Sequence, residues 1–178
     1  MTPATTLPLR DLVFVSEAGV SEAVEGLSAS QRSWVKAHGF AGERGRVLVL
    51  PDVQNGDPRT VWVGLGARSL DLALTLALPD RLPAGDYTVA ATFPPEEVRL
   101  LALGFALASY RFARYKSVAP CTARFVLPLG QVLADVGALA KADALARDLI
   151  NTSAQDMGPQ DRSEEHTSEL QSRGLISY

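Results

Sequence analysis

The chain has 178 residues, 47% of them hydrophobic and 21% charged, and a formal net charge of −3. Those values fit about one soluble globular domain, long enough to bury a core, and give no global drive toward nucleic acid or an anionic membrane. The single cysteine, Cys121, cannot form an internal disulfide, so a reducing compartment is the simpler assumption. The N-terminus shows neither a basic n-region nor a long apolar run, so no secretory signal is expected. The most apolar stretch, 98–108, contains Arg99 and falls far short of the roughly 20 residues that span a bilayer. A cytoplasmic location is the expectation.

In chain order, Leu12–Val15 combines β-branched and aromatic residues and predicts a first strand. Ser28 or Ser30 can cap a helix running to about His38, closed by Gly39 and Gly42. Val47–Leu50 and Val61–Val63 flank the turn-rich Asn55-Gly56-Asp57-Pro58 and predict a hairpin. Ser69–Leu78 carries leucines at 70, 72, 74, 76 and 78, a period of two that argues for a strand. Its length, its alanines and a Ser69 cap argue for a helix, which is preferred. Pro79 punctuates, and Asp86–Thr92 predicts a strand. Pro94-Pro95-Glu96-Glu97 is a helix start, because proline suits the first turn and carboxylates suit the positive end of the dipole. That helix runs to about Phe112 and is apolar nearly all round. Arg124–Leu127 predicts a last strand, and Val132 onward leads into a late helix.

In that late helix, Ala142, Leu145, Ala146, Leu149 and Ile150 recur at helical spacing and form one apolar stripe. Asn151, Thr152 and Ser153 compete for backbone hydrogen bonds and stop it, and Gly158-Pro159 prevents prompt resumption. Strands and helices alternate along the chain, which predicts an α/β fold with a mixed or parallel sheet and helices on its faces.

The residues from 141 to 159 also resemble the hinge segment of the leucine aminopeptidase (cytosol aminopeptidase) family. There an "A-R-x-L-x-N-T-P-x-x-D-M-G-P"-like run precedes the metallopeptidase domain. Ala146-Arg147-Asp148-Leu149-Ile150-Asn151-Thr152 and Asp156-Met157-Gly158-Pro159 match it, while Ser153 stands where that family usually has proline. Val61-Trp62-Val63-Gly64-Leu65-Gly66 is similar to a strand-to-loop segment of the same family. Ser109-Tyr110-Arg111-Phe112-Ala113-Arg114-Tyr115-Lys116 resembles its "S-Y-R-F-x-R-Y-K" run. The resemblance implies an N-terminal α/β domain related to macro domains, belonging to an enzyme that removes N-terminal residues from peptides. It also implies two divalent metals (manganese or zinc) and a homohexamer for the intact enzyme.

A dinuclear metallopeptidase needs several carboxylates, and in this family also a lysine, to hold metals about 3.5–4 Å apart around a nucleophilic water. In the resembled family these sit in the C-terminal domain on motifs such as "N-T-D-A-E-G-R", which this chain lacks. Asp52, Asp57, Asp71, Asp80 and Asp86 are scattered through loops and element ends and read as solvated surface. No catalytic, cofactor-binding or metal residue is therefore assigned, and no metal is expected in this chain by itself.

Other site chemistries find little support. His38 and His166 are the only histidines, and His38 at a helix end is explained by the dipole. Cys121 lacks a partner motif and reads as an inert, partly buried thiol. Gly64-Leu65-Gly66 could open a dinucleotide fingerprint, but Ser69 stands where its third glycine belongs. Arg111, Arg114, Lys116 and Arg124, interleaved with Tyr110, Phe112 and Tyr115, superficially suit nucleic acid; cations at a helix C-terminus are the duller explanation. A stand-alone macro-like module for a nucleotide or ADP-ribose derivative is the alternative function. The hinge-like continuation argues against it.

Arg162–Ser172 looks like the translation of a common sequencing adapter, with Ile176-Ser177-Tyr178 fitting the bases after its index. The expected organisation is a domain over 1–130, a hinge helix and linker over 131–161, and a non-native tail over 162–178, which has no place in the fold. An undocked hinge would leave the apolar face of 142–150 partly exposed.

Overall fold

The computed structural model describes residues 9–51, 59–90, 92–127, 134–153 and 156. The 52–58 connection, with its expected turn, and residues 157–178, with the adapter-like tail, lie outside them. Five strands form one sheet in the order β2-β3-β1-β4-β5: β1 Leu9–Ser16, β2 Val47–Leu50, β3 Thr60–Gly66, β4 Gly85–Thr88 and β5 Ala123–Phe125. β2 runs antiparallel to β3, as the hairpin reading requires, and the β1–β3, β1–β4 and β4–β5 pairs are parallel. The fold is a mixed α/β sheet flanked by helices.

Side-chain alternation along the strands separates two cores. Leu12, Val61, Val63 and Tyr87 point to a cluster completed by Leu74 and Leu78 of α3 (Leu72–Arg81) and by Val98, Leu101 and Phe105 of α4 (Pro95–Ala108). Val15, Leu48, Leu50 and Trp62 point the other way, meeting Phe40 and Val35 of α2 (Ala29–Ala37), with Val20 and Val24 of α1 (Val20–Glu25) packed against them. The helix α2 starts in a reciprocal capping box between Ser28 and Gln31. Its Trp34 indole donates to the Val49 carbonyl and its Gln31 amide to the Pro51 carbonyl. Two side chains thus occupy acceptors along the outer edge of β2, where an exposed edge strand invites foreign pairing.

The ambiguous leucine run is a helix. Leu74, Thr75, Leu78 and Pro79 are buried along one face while Leu72 is exposed, so the 3.6-residue period overrides the period of two. Its cap is Asp71 and not Ser69: the Asp71 carboxylate accepts from the Leu74 N–H at 2.9 Å. Pro79 does not end the helix, which continues to Arg81.

The predicted strand 86–92 is confined to Gly85–Thr88, α4 ends at Ala108 and not at Phe112, and β5 spans Ala123–Phe125. The helix α1 had no sequence signal, being six residues long with a glycine cap that makes no side-chain bond. The late helix, α5, spans Ala134–Asn151 and packs on α4 outside the sheet.

Candidate functional site

The functional geometry that the described residues offer is a junction, built where the end of α5 meets the stretch 110–116 that follows α4. This stretch has neither helix nor strand, so its side chains are free to turn toward the neighbouring helix. Tyr110 Oη donates to Asp148 Oδ1 at 2.7 Å and accepts from Asn151 Nδ2 at 3.3 Å. The Arg147 guanidinium lies 5.3 Å from the Tyr110 ring centroid, within cation–π range. Desolvation, and then the neighbouring Asp148 carboxylate, raise the Tyr110 pKa from its ordinary value, which keeps the phenol protonated and donating.

One turn later, Tyr115 Oη accepts from the Ser153 backbone N–H at 2.8 Å. Proline, usual here in the resembled family, has no N–H to give. The departure at Ser153 is therefore matched by a bond that only a non-proline residue can make. Hydrogen bonds from Tyr115, then Ser153, hold Asp156 below the usual carboxylate range. Thr152 is buried and closes the helix end with its hydroxyl on the Asp148 carbonyl. The hinge is thus docked among the described residues, contrary to the undocked expectation. Part of its apolar stripe is nevertheless open: Ala142, Ala146 and Ile150 are exposed, Ile150 by 81%.

The glycine pair that could have cradled a phosphate is already engaged. The Gly64 N–H bonds the Arg46 carbonyl and the Gly66 N–H bonds the Gly42 carbonyl, both at 2.8 Å. A Cβ on Gly64 would overlap the Glu43 carbonyl oxygen, so this glycine serves the close crossing of two backbones. At α4, whose N-terminus could attract an anion, Glu96 and Glu97 occupy the first turn. Nothing in this geometry favours the nucleotide or ADP-ribose module.

The acids read as solvated surface have structural partners where they are described. Asp71 pairs with Arg44 as well as capping α3, and the Leu74 N–H, followed by Arg44, lowers its pKa. Asp80 pairs with Arg111 at 2.8 Å, and Asp86 takes both Nε and Nη2 of Arg124 at 2.8 and 3.1 Å. Asp52 and Asp57 lie outside the described residues. These pairs also occupy two cations of the cluster that superficially suited nucleic acid, and Arg114 reaches the Asp156 carbonyl.

Among the described residues no three His, Cys, Asp or Glu side chains are grouped to hold a metal. His38 caps the end of α2, with Nδ1 2.9 Å from the Trp34 carbonyl. Cys121 is partly buried, its thiol 3.4 Å from the Ala123 carbonyl. It borders an open groove of about 320 Å³ between α4 and β5, lined mainly by Ala102, Phe105, Ala106 and Phe125.

A family model described as "M17 aminopeptidase, N-terminal domain" matches residues 8–128. The chain belongs to the M17 aminopeptidase family. No curated protein matches it. Among solved structures, the cytosol aminopeptidase of Coxiella burnetii superposes with a TM-score of 0.78 at 24% identity, over 94% of this chain and 36% of that one. A mutant of tomato leucine aminopeptidase gives 0.60 at 17% identity, over 94% of this chain and 40% of that one. At such identities the likeness carries the fold, and this M17 N-terminal domain spans well under half the length of either enzyme.

Proposed function

We propose that this chain is the N-terminal, non-catalytic part of a metal-dependent leucyl aminopeptidase that removes N-terminal residues from peptides. The observation that carries the reading is the M17 N-terminal match over residues 8–128, joined to a docked helix that continues past the matched region. The proposed organisation is a sheet domain over 1–130 and a hinge over 131–161, with 162–178 as a non-native tail.

The two divalent ions of the proposed enzyme, manganese or zinc, do not fit the residues described here. Asp71, Asp80 and Asp86 are each engaged by a different arginine, and no histidine, cysteine or acid cluster is available among the described residues. The ligands would belong to a catalytic domain beyond this chain, and no catalytic step is derived through them. The role left to the sheet domain is packing, subunit contact within a homo-oligomer such as a hexamer, and shaping of access to the active site. A cytoplasmic setting fits the single cysteine, and none of the described helices is long and apolar enough to cross a membrane.

The test is hydrolysis of a leucine amide substrate by the purified 178-residue chain, with manganese or zinc supplied. No metal-dependent turnover above buffer is expected. Turnover that a chelator abolishes would place catalytic groups inside this chain and overturn the reading.

A further inference from the structure

α5 is joined to the domain in a way the other large helices are not. α2, α3 and α4 each send side chains into one of the two cores, whereas no described residue of α5 belongs to either cluster. Within α5 the only described residue that is buried is Val136, and Thr152 is buried just past its end. The face toward α4 carries polar groups: Asp135 meets Arg99, Arg147 reaches the Leu107 carbonyl, and Asp148 and Asn151 meet Tyr110. Meanwhile Leu139, Ala142, Ala146 and Ile150 are left exposed. Apolar burial normally holds a helix in place; here directional bonds to two tyrosines carry much of that duty.

We propose that α5 is a strap that opens and closes as a unit on a sheet domain that stays folded, and that Tyr110 and Tyr115 form the latch setting its closed position. Elements with few buried apolar contacts open at lower free energy than the core and do so cooperatively. Tyr110 grips the last turn through Asp148 and Asn151. Tyr115 grips the chain leaving it through the Ser153 N–H, so the pair fixes both the helix and the direction of its exit. In a longer enzyme this latch would orient the sheet domain against the catalytic domain, a consequence that rests on the function proposed above. The opening itself does not depend on it.

Amide hydrogen exchange on the full 178-residue chain separates the possibilities. In the wild type, amides of 139–151 should exchange faster than those of β1 and β3. A Tyr110→Phe/Tyr115→Phe variant keeps both rings and removes both hydroxyls. It should accelerate exchange in 139–151 by about 10- to 150-fold, as the loss of three ordinary hydrogen bonds implies, with the β1 and β3 rates unchanged. Tyr87→Phe is the comparison, because its hydroxyl bonds the Pro83 carbonyl within the core, and it should accelerate the sheet amides. Equal protection of α5 and the sheet in the wild type would overturn the strap. No selective acceleration of 139–151 in the double variant would overturn the latch.

Discussion

Replacing Gly64 with alanine should leave little folded protein at 25 °C. The added methyl has no free volume: it would overlap the Glu43 carbonyl oxygen and stand 2.7 Å from the Gly42 carbonyl carbon. These neighbours are backbone and cannot rotate away. They are also fixed by the Gly45 N–H to Gly64 carbonyl and Gly64 N–H to Arg46 carbonyl bonds, both at 2.8 Å. Relief requires parting the 42–46 loop from β3, which sacrifices those bonds and disturbs a strand central to both cores. Strain and lost pairing together should cost more than about 4 kcal/mol, at the upper end for single substitutions and a large fraction of a small domain's stability. Circular dichroism and urea titration give the measure. A midpoint within error of wild type would show that the loop and strand do not approach so closely.

Gly104→Ala carries the second largest effect, and its sign opposes helix propensity. On an exposed helix the change would stabilise by about 1 kcal/mol, because alanine loses less backbone freedom. Gly104 is buried in the middle of α4, however, and a Cβ there would overlap Thr75 Oγ1 and Cβ on α3 and lie 2.8 Å from the Thr75 carbonyl carbon. Thr75 is itself fully buried, and its hydroxyl bonds the Leu72 carbonyl, so it has no space to yield. α3 and α4 would have to move apart, opening the core around Leu78, Leu101 and Phe105. Overpacking of this kind costs about 1–3 kcal/mol net. The measurement is the thermal midpoint, expected to fall; a rise would mean that propensity outweighs the helix contact.

These two glycines mark where reading the chain by pattern stops. Gly64 was visible as part of a Gly-Leu-Gly run, and Gly104 as one residue of an apolar helix, but neither run says which backbone or side chain stands opposite. That information is tertiary. The strands and helices that are long or strongly patterned were legible: Val47–Leu50 against Val61–Val63, α2 behind Ser28, and α4 behind Pro94-Pro95. Ser69–Leu78 was ambiguous in sequence because two periods fit it, and the α4 surface on which it packs selects the helical one. The expected cap was Ser69, and Asp71 was read as solvated surface. Asp71 wins because its carboxylate reaches the Leu74 N–H while also pairing with Arg44.

The junction was half legible. The hinge and the Ser109–Lys116 run were each recognised by resemblance to the leucine aminopeptidase family, but nothing in their spacing said that they would meet. The stripe at 142, 145, 146, 149 and 150 was expected to be partly exposed, and Ala142, Ala146 and Ile150 are exposed. What the pattern did not show is that polar groups, Asp135, Arg147, Asp148 and Asn151, make the bonds toward α4 and the stretch after it, while Leu145 and Leu149 are half-buried. Periodicity identifies a stripe without identifying what covers it. The position of Ser153 was the one available hint, since it departs from proline where Tyr115 needs a donor.

Whether this sheet domain is the non-catalytic beginning of a longer aminopeptidase is tested most directly at the nucleic-acid level. The source DNA should be re-sequenced across the codon for Asp161 from an independent, adapter-free preparation. The frame is expected to continue past Asp161 into a second domain carrying the carboxylates and lysine of a dinuclear metal centre. A frame that reads through the Arg162–Tyr178 codons and stops would contradict the proposed function.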